Sequence, residues 1–187
     1  GHNGAGVCIF CDEWGSAAYH QQREKPVREQ IQINREAIRK RYRAEKFLIY
    51  FQAYTNTFGR FRELEYFYKE ALKEKDVVGI VVGTRPDCLP KRVLQKFSEI
   101  ARENYLSVEL GVQTFDDAQL RFLSRGHDSA SSLKAIRKLK TLPDRKSVVK
   151  GKSVDLGGRR IIKKKNNTSF ATICSPHSTT FHPSPLV

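Results

Sequence analysis

The 187-residue chain contains no methionine, a single tryptophan and only four cysteines, Cys8, Cys11, Cys88 and Cys174. So few thiols argue against a disulfide-stapled secreted domain and fit a reducing, cytoplasmic setting. No stretch approaches the roughly 18–20 consecutive apolar residues of a membrane span. The start, Gly1-His2-Asn3-Gly4, lacks the basic flank and apolar run of a signal peptide. A membrane role is therefore not expected. With no methionine even at position 1, the chain reads as a piece of a longer protein. Acidic residues are also in short supply, 20 against 34 Lys+Arg, for a net charge of +14. A hydrophobic share of 39% is still adequate for a core and excludes a wholly disordered chain.

Half of that charge is local. Residues 144–165 hold nine Lys/Arg and two Asp, whereas 166–187 carry no charged side chain of these four types and are rich in Ser, Thr, Pro and His. Neither helical spacing nor sustained alternation continues past Pro143. The segment 144–187 is expected to be a disordered or non-native basic and Ser/Pro-rich tail. Asp144 to Lys165 moreover resembles the translation of a ligated sequencing adapter running into an A-rich stretch. Gly151-Lys152-Ser153 has the ending of a phosphate-binding loop, but no first glycine or preceding strand accompanies it.

Residues 1–143 form the expected folded domain. Val27, Ile31, Asn34, Ile38 and Tyr42 line one face of a helix opening at Pro26. Phe47–Ala53 has the length and aromatic content of a strand. Phe61, Leu64, Tyr68 and Leu72 return to helical spacing, and Val77–Gly83 is an apolar strand. Val93, Leu94, Phe97, Ile100 and Ala101 mark another helix, and Tyr105–Val112 a third strand. Further helical patterns cover 116–124 and the surroundings of Leu133, Ile136 and Leu139, the latter with a cap expected near Ser129 or Ser131. Strand starts at 47, 77 and 105 with one helix in each interval define a βα repeat, hence a parallel sheet covered by helices. Periodicity leaves an open doubly wound sheet and a (β/α) barrel equally available. In both, function sits at the carboxyl ends of the strands.

The residues at those ends are polar and distinctive: Gln52 to Thr57, then Gly83-Thr84-Arg85-Pro86-Asp87-Cys88, then Glu109-Leu110-Gly111-Val112-Gln113-Thr114. Capping and turn formation account for Thr57, Asp87 or Thr114 singly, less well for the set. Upstream, Cys8-Ile9-Phe10-Cys11 follows a glycine-rich turn, and two thiolates at this spacing reach one metal. Zinc ribbons, redox dithiols and iron–sulfur sites share that spacing, and two buried inert cysteines would show it too. Cys88 is a candidate third thiol.

Taken in order, Cys8-Ile9-Phe10-Cys11, Gly15-Ser16-Ala17-Ala18, Tyr50 to Thr57, Gly83 to Cys88, Glu109 to Thr114 and Arg125-Gly126-His127-Asp128 resemble the YhcC-type radical S-adenosylmethionine (SAM) proteins. The Thr-Arg-Pro-Asp and Glu-Leu-Gly-Val-Gln elements also look like the elongator-type radical enzymes. The resemblance spans roughly residues 3–143. It implies a partial (β/α)6 TIM-like barrel of which this chain holds about strands two to four. It also implies a 4Fe-4S cluster that cleaves SAM reductively to a 5′-deoxyadenosyl radical. By the same resemblance Cys8 and Cys11 are cluster ligands and Phe10 shields the cluster near the adenine. Gln113 and Arg125 contact SAM, Arg being suited to its carboxylate, with Glu109 and Gly111 as further candidates. His127 is either a substrate-side group or a structural histidine.

The family's first cluster cysteine has no counterpart here, and its fifth strand gives way to the tail at Pro143. The chain alone is accordingly expected to be inactive, with open sheet edges on both sides. A reductant such as flavodoxin or ferredoxin is implied, and tRNA or a small metabolite as substrate. Two other classes compete: a basic RNA-binding module using Arg35, Arg39, Lys40, Arg41 and Arg43, with a steep salt dependence, and a zinc-binding structural domain.

Overall fold

Apolar seven- to nine-residue runs alternating with amphipathic stretches leave the backbone one economical solution, strands stacked in parallel with helices returning across them. A computed structural model of the chain describes Ile9 and residues 25–52, 55–142, 148–153 and 168–174. The elements are α1 (Val27–Tyr42), β1 (Lys46–Gln52), α2 (Phe61–Leu72), β2 (Val77–Thr84), α3 (Lys91–Glu103), β3 (Tyr105–Gln113), α4 (Asp117–Phe122), α5 (Ser129–Lys140), β4 (Val148–Ser153) and β5 (Thr168–Cys174). All strand pairings are parallel, in the order β4-β3-β2-β1-β5. The three central strands are neighbours in chain order, which is the α/β arrangement the βα repeat predicts.

Register explains how one sheet acquires two unlike faces. Phe47 pairs with Val77 but Leu48 with Gly79, so β2 bulges at Val78 and the alternation restarts. Beyond the bulge, the rows Ile49–Ile80–Leu106 and Phe51–Val82–Val108 point to one side. These residues join a single buried cluster with Leu64 and Tyr68 of α2, Val93 and Phe97 of α3, Val27 and Ile31 of α1, and Ala135 and Leu139 of α5. Phe51 and Tyr68 meet edge to face at 5.3 Å, and Tyr68 and Phe97 lie 5.8 Å apart. Helices from successive units thus share one face, as in a segment of a barrel, whereas a doubly wound sheet would divide them between two. The opposite face carries Leu48, Tyr50 and Gln52 of β1, Gly79, Val81 and Gly83 of β2, and Ser107, Glu109, Gly111 and Gln113 of β3.

Three details differ from the sequence reading. The α1 stripe ends early, because Tyr42 is exposed while Gln30 is buried with its amide donating to the Lys25 carbonyl at 2.8 Å. The cap of α5 is Asp128, not Ser129 or Ser131; its carboxylate accepts from the Ser131 N–H at 2.7 Å. A carboxylate is the stronger acceptor toward the positive helix start. The segment after Pro143, for which no regular element was expected, contributes β4 against β3 and β5 against β1. The outer sides of β1 and β3 are therefore paired, and β4 and β5 become the edge strands of the sheet. An unpaired parallel edge presents a row of N–H and C=O groups, and short β-branched stretches such as Val148-Val149 and Thr168 to Ile173 can satisfy it without any long-range periodicity.

Candidate functional site

Each central strand ends in a polar turn, and hydrogen bonds join the turns into one rim. After β1, the Asn56 amide donates to the Phe51 carbonyl at 3.0 Å and to the Gly83 carbonyl at 3.1 Å. The Thr57 hydroxyl bonds the Thr84 hydroxyl and donates to the Cys88 carbonyl. Tyr68, rising from the core, donates its hydroxyl to the Asn56 carbonyl at 2.7 Å. Thr57 thus does not cap the next helix, a role sequence reasoning allowed for it; its hydroxyl links the end of β2 and the turn beyond it to the turn after β1.

After β2, Arg85-Pro86-Asp87-Cys88 closes as a β-turn, with the Cys88 N–H donating to the Arg85 carbonyl at 3.1 Å and proline at its second position. The Arg85 guanidinium is buried and bidentate on Asp87, with Nε to Oδ1 at 2.9 Å and Nη2 to Oδ2 at 2.7 Å. Burial, followed by the Asp87 charge, pushes the Cys88 thiol up, so it stays protonated at neutral pH. Among the described residues no three His, Cys, Asp or Glu side chains gather as a metal group.

On β3, Glu109, Gly111 and Gln113 share the face turned away from the helices. The Tyr50 hydroxyl donates to Glu109 Oε2 at 2.5 Å, reaching across β2 where Gly83 presents no side chain to obstruct it. Tyr50 was part of a motif in the sequence, but nothing there indicated this partner, which depends on strand register. Gln113 has φ 69°, and the Thr114 N–H donates to the Val112 carbonyl at 3.0 Å, a γ-turn of the strained positive-φ kind. Arg125 arrives from beyond α4 and donates from Nη2 to the Gly111 carbonyl at 2.7 Å. A Cβ at Gly111 would meet Arg125 Nη2 at 3.3 Å and Gln113 Nε2 at 3.6 Å. Arg125, twelve residues from Gln113 and fourteen from Gly111, therefore converges with them on one spot, with Glu109 two residues back on the same face.

His127 lies beneath the rim with a fully enclosed side chain, its Nδ1 3.9 Å from Asp87 Oδ1. Burial, reinforced by the Arg125 and Arg85 charges, pushes its pKa down against the opposing pull of Asp87. The imidazole is neutral at pH 7, and its enclosed side chain fits the structural role weighed for it better than that of a substrate-side polar group. Cys8, Phe10 and Cys11 lie outside the described residues. The basic patch of α1 is smaller than its composition suggests. Arg35 is bonded to Glu74 at 2.8 Å and to Asp76 at 2.5 Å, and Arg39 to Asp76 as well.

The profile of the radical SAM superfamily matches residues 3–148, more than three quarters of the chain. The chain belongs to the radical SAM superfamily. With that membership it is classed among enzymes, and the superfamily in general implies a 4Fe-4S cluster and SAM. Its relatives within the superfamily are of the YhcC type. It is 39% identical over 128 residues to Protein YhcC of Escherichia coli (strain K12), covering 68% of this chain and 40% of that protein. It is 37% identical over 139 residues to Uncharacterized protein MJ0486 of Methanocaldococcus jannaschii, covering 73% and 43% respectively. To Uncharacterized protein YtqA of Bacillus subtilis (strain 168) it is 33% identical over 135 residues, covering 72% and 42%. The chain thus spans about two fifths of the length of the curated relatives it matches. Among the described residues no helix of this radical SAM chain is long and apolar enough to cross a membrane.

The donor chemistry of the rim suits SAM. Arg125 offers a planar, permanently charged guanidinium able to grip a carboxylate, Gln113 an amide, and the absent side chain of Gly111 the space between them. The soft thiols Cys8 and Cys11 suit iron.

Proposed function

We propose that this chain is the cofactor-binding part of a radical SAM enzyme, its three central strands being the second to fourth of a partial (β/α)6 barrel. The observation that carries the reading is the convergence of Gly111, Gln113 and Arg125 at the carboxyl end of β3, held by a strained turn. Backbone strain persists where surrounding contacts over-determine it, and such positions concentrate at ligand sites. In this reading Arg125 binds the SAM carboxylate, Gln113 and Gly111 lie along the bound molecule, and Glu109 is fixed beside them by Tyr50. Phe10 shields the cluster side, and Cys8 and Cys11 are two of the cluster's thiolate ligands. When bound, the cluster supplies one electron to SAM, whose cleavage gives the 5′-deoxyadenosyl radical that takes hydrogen from substrate. The protein's share is to bind, orient and exclude water. Three thiolates hold such a cluster; the family resemblance puts the third upstream of Cys8, and on that reading the chain alone is inactive. The electron comes from a reductant of the flavodoxin or ferredoxin type, in the cytoplasm. Arg35 and Arg39 are paired with Glu74 and Asp76, so Lys40, Arg41 and Arg43 carry the case for tRNA as substrate, with a small metabolite as the other class.

The test compares this chain with one extended upstream by the relatives' additional sequence, each reconstituted anaerobically with iron and sulfide. The expected result is about four irons per chain and SAM cleavage to 5′-deoxyadenosine in the extended form only, both abolished by Cys8→Ala. Zinc uptake by both forms with no iron in either would overturn the reading and assign Cys8 and Cys11 to a structural zinc site.

A further inference from the structure

Of Gly111, Gln113 and Arg125, the first two belong to β3 and only Arg125 comes from a loop, and a flexible loop would lose affinity each time it had to be ordered around a ligand. The structure anchors this loop on both sides of Arg125. On the amino side α4 ends in a Schellman arrangement: the Arg125 N–H donates to the Leu120 carbonyl at 2.9 Å and the Ser124 N–H to the Arg121 carbonyl at 3.0 Å. Ser124 takes the left-handed position at φ 52°, where glycine is usual. Further along, Asp117 accepts from the Ser129 N–H at 2.7 Å and from its hydroxyl at 3.1 Å, closing the loop base.

On the carboxyl side the anchor is Gly126. A Cβ placed there would lie 2.2 Å from Arg85 Nη2, 3.1 Å from Cζ and 3.3 Å from Nη1. Three atoms of one guanidinium at such distances mean that the Gly126 backbone rests against the Arg85 group. That group is itself immobilised: it is buried, bidentate on Asp87, and carried by a proline-containing turn that Thr57 ties to β1. A side chain at 126 would collide with the guanidinium unless it moved, and moving it disturbs the Arg85–Asp87 pair.

We infer that Arg85, Asp87 and Gly126 form a clip whose purpose is to position Arg125, the residue before Gly126, for binding the ligand carboxylate. The three are positioning residues that do not touch the ligand, and the inference rests on the SAM reading of the rim. It accounts for a buried ion pair and a bare glycine that fold stability alone does not require, since a buried pair is weak as a source of stability. Arg85→Lys would not substitute, because an ammonium lacks the planar fork.

The experiment measures SAM binding by equilibrium dialysis to the form that takes up iron, for Asp87→Asn, Gly126→Ala, Arg125→Gln and the Asp87→Asn/Arg125→Gln double variant, with iron content and melting temperature recorded for each. Asp87→Asn and Gly126→Ala are expected to weaken SAM binding on the order of tenfold, the scale of losing one buried charged partner, with iron content retained. The double variant is expected to bind no more weakly than Arg125→Gln alone, because the clip acts only through Arg125. Asp87→Glu, which keeps the carboxylate, should recover part of the affinity. Should Gly126→Ala fail to fold, Asp87→Asn carries the test. Additive losses in the double variant, or unchanged affinity in folded Asp87→Asn, would sink the clip and leave the SAM reading standing. No SAM binding by the unsubstituted iron-loaded protein would overturn that reading and this inference with it.

Discussion

The two faces of the central strands use the same backbone to opposite ends. On the helix side Phe47, Ile49, Phe51, Ile80, Val82, Leu106 and Val108 are each at most 1% exposed and contribute to one cluster. Their chemistry is interchangeable and their value lies in apolar area, roughly 1.5–3 kcal/mol for each large side chain removed from water. The other side carries Leu48 and Val81 but otherwise glycine, serine, tyrosine, glutamate and glutamine, and near the carboxyl ends the backbone itself is strained at Gln113. The contrast teaches where this molecule stores stability and where it places chemistry. A rigid apolar face makes it possible for the opposite face to hold small residues, a buried guanidinium and a positive-φ turn without unfolding.

That division can be broken deliberately. The largest effect is expected from Phe97→Ala, which removes a fully buried ring from the helix face. The loss should be about 3–5 kcal/mol by urea denaturation, and a loss below 1 kcal/mol would mean that α3 does not close the core as described. Gly79→Ala tests whether the opposite face is limited by space and not by area. A Cβ there would lie 2.0 Å from the Tyr105 carbonyl oxygen, a backbone atom that cannot swing aside. Overpacking of this kind costs about 1–3 kcal/mol, and the denaturation midpoint of the variant reads it. If the variant is as stable as its parent, β2 and β3 are less closely paired at this point than Gly79 opposite Tyr105 implies.

The smallest effect should come from acid. His127 has a pKa held below its ordinary value of 6.5 by burial first and by Arg125 second. Below that ordinary value the unfolded chain binds the proton that the folded chain refuses, so stability falls as pH drops. Denaturation midpoints measured between about pH 7 and 5.5 should decline in the unsubstituted chain. The decline should be shallower in His127→Leu. Identical slopes in the two proteins would show that the histidine is accessible to protons in the folded state.

Much of the architecture was legible without coordinates because it rests on short-range periodicity. The three strands, five helices and their boundaries follow from runs such as Val77 to Gly83 and spacings such as Phe61, Leu64, Tyr68 and Leu72. The errors fall where two residue types compete locally, as with Asp128 over Ser129 for the α5 cap, or where a strand lacks a sustained apolar or alternating pattern, as with β4 and β5. Of the site, the motif residues could be listed but not connected. Tyr50 with Glu109, Thr57 with Thr84 and Arg85 with Gly126 are pairs 59, 27 and 41 positions apart, and nothing in composition or spacing links such distant positions.

By itself the sequence determined the alternation of strand and helix, the parallel sheet, the polar strand ends and the family, because each is written in local pattern or in the order of motifs. Only the tertiary structure decided that the helices share one face, that β2 bulges at Val78, that two of the α1 arginines are neutralised, and that Arg125 is held over Gly111 from both sides. Those outcomes depend on register and on close approach between residues far apart in the chain, and close approach is settled by packing, where a single carbon at Gly126 or Gly79 is the difference between fit and collision.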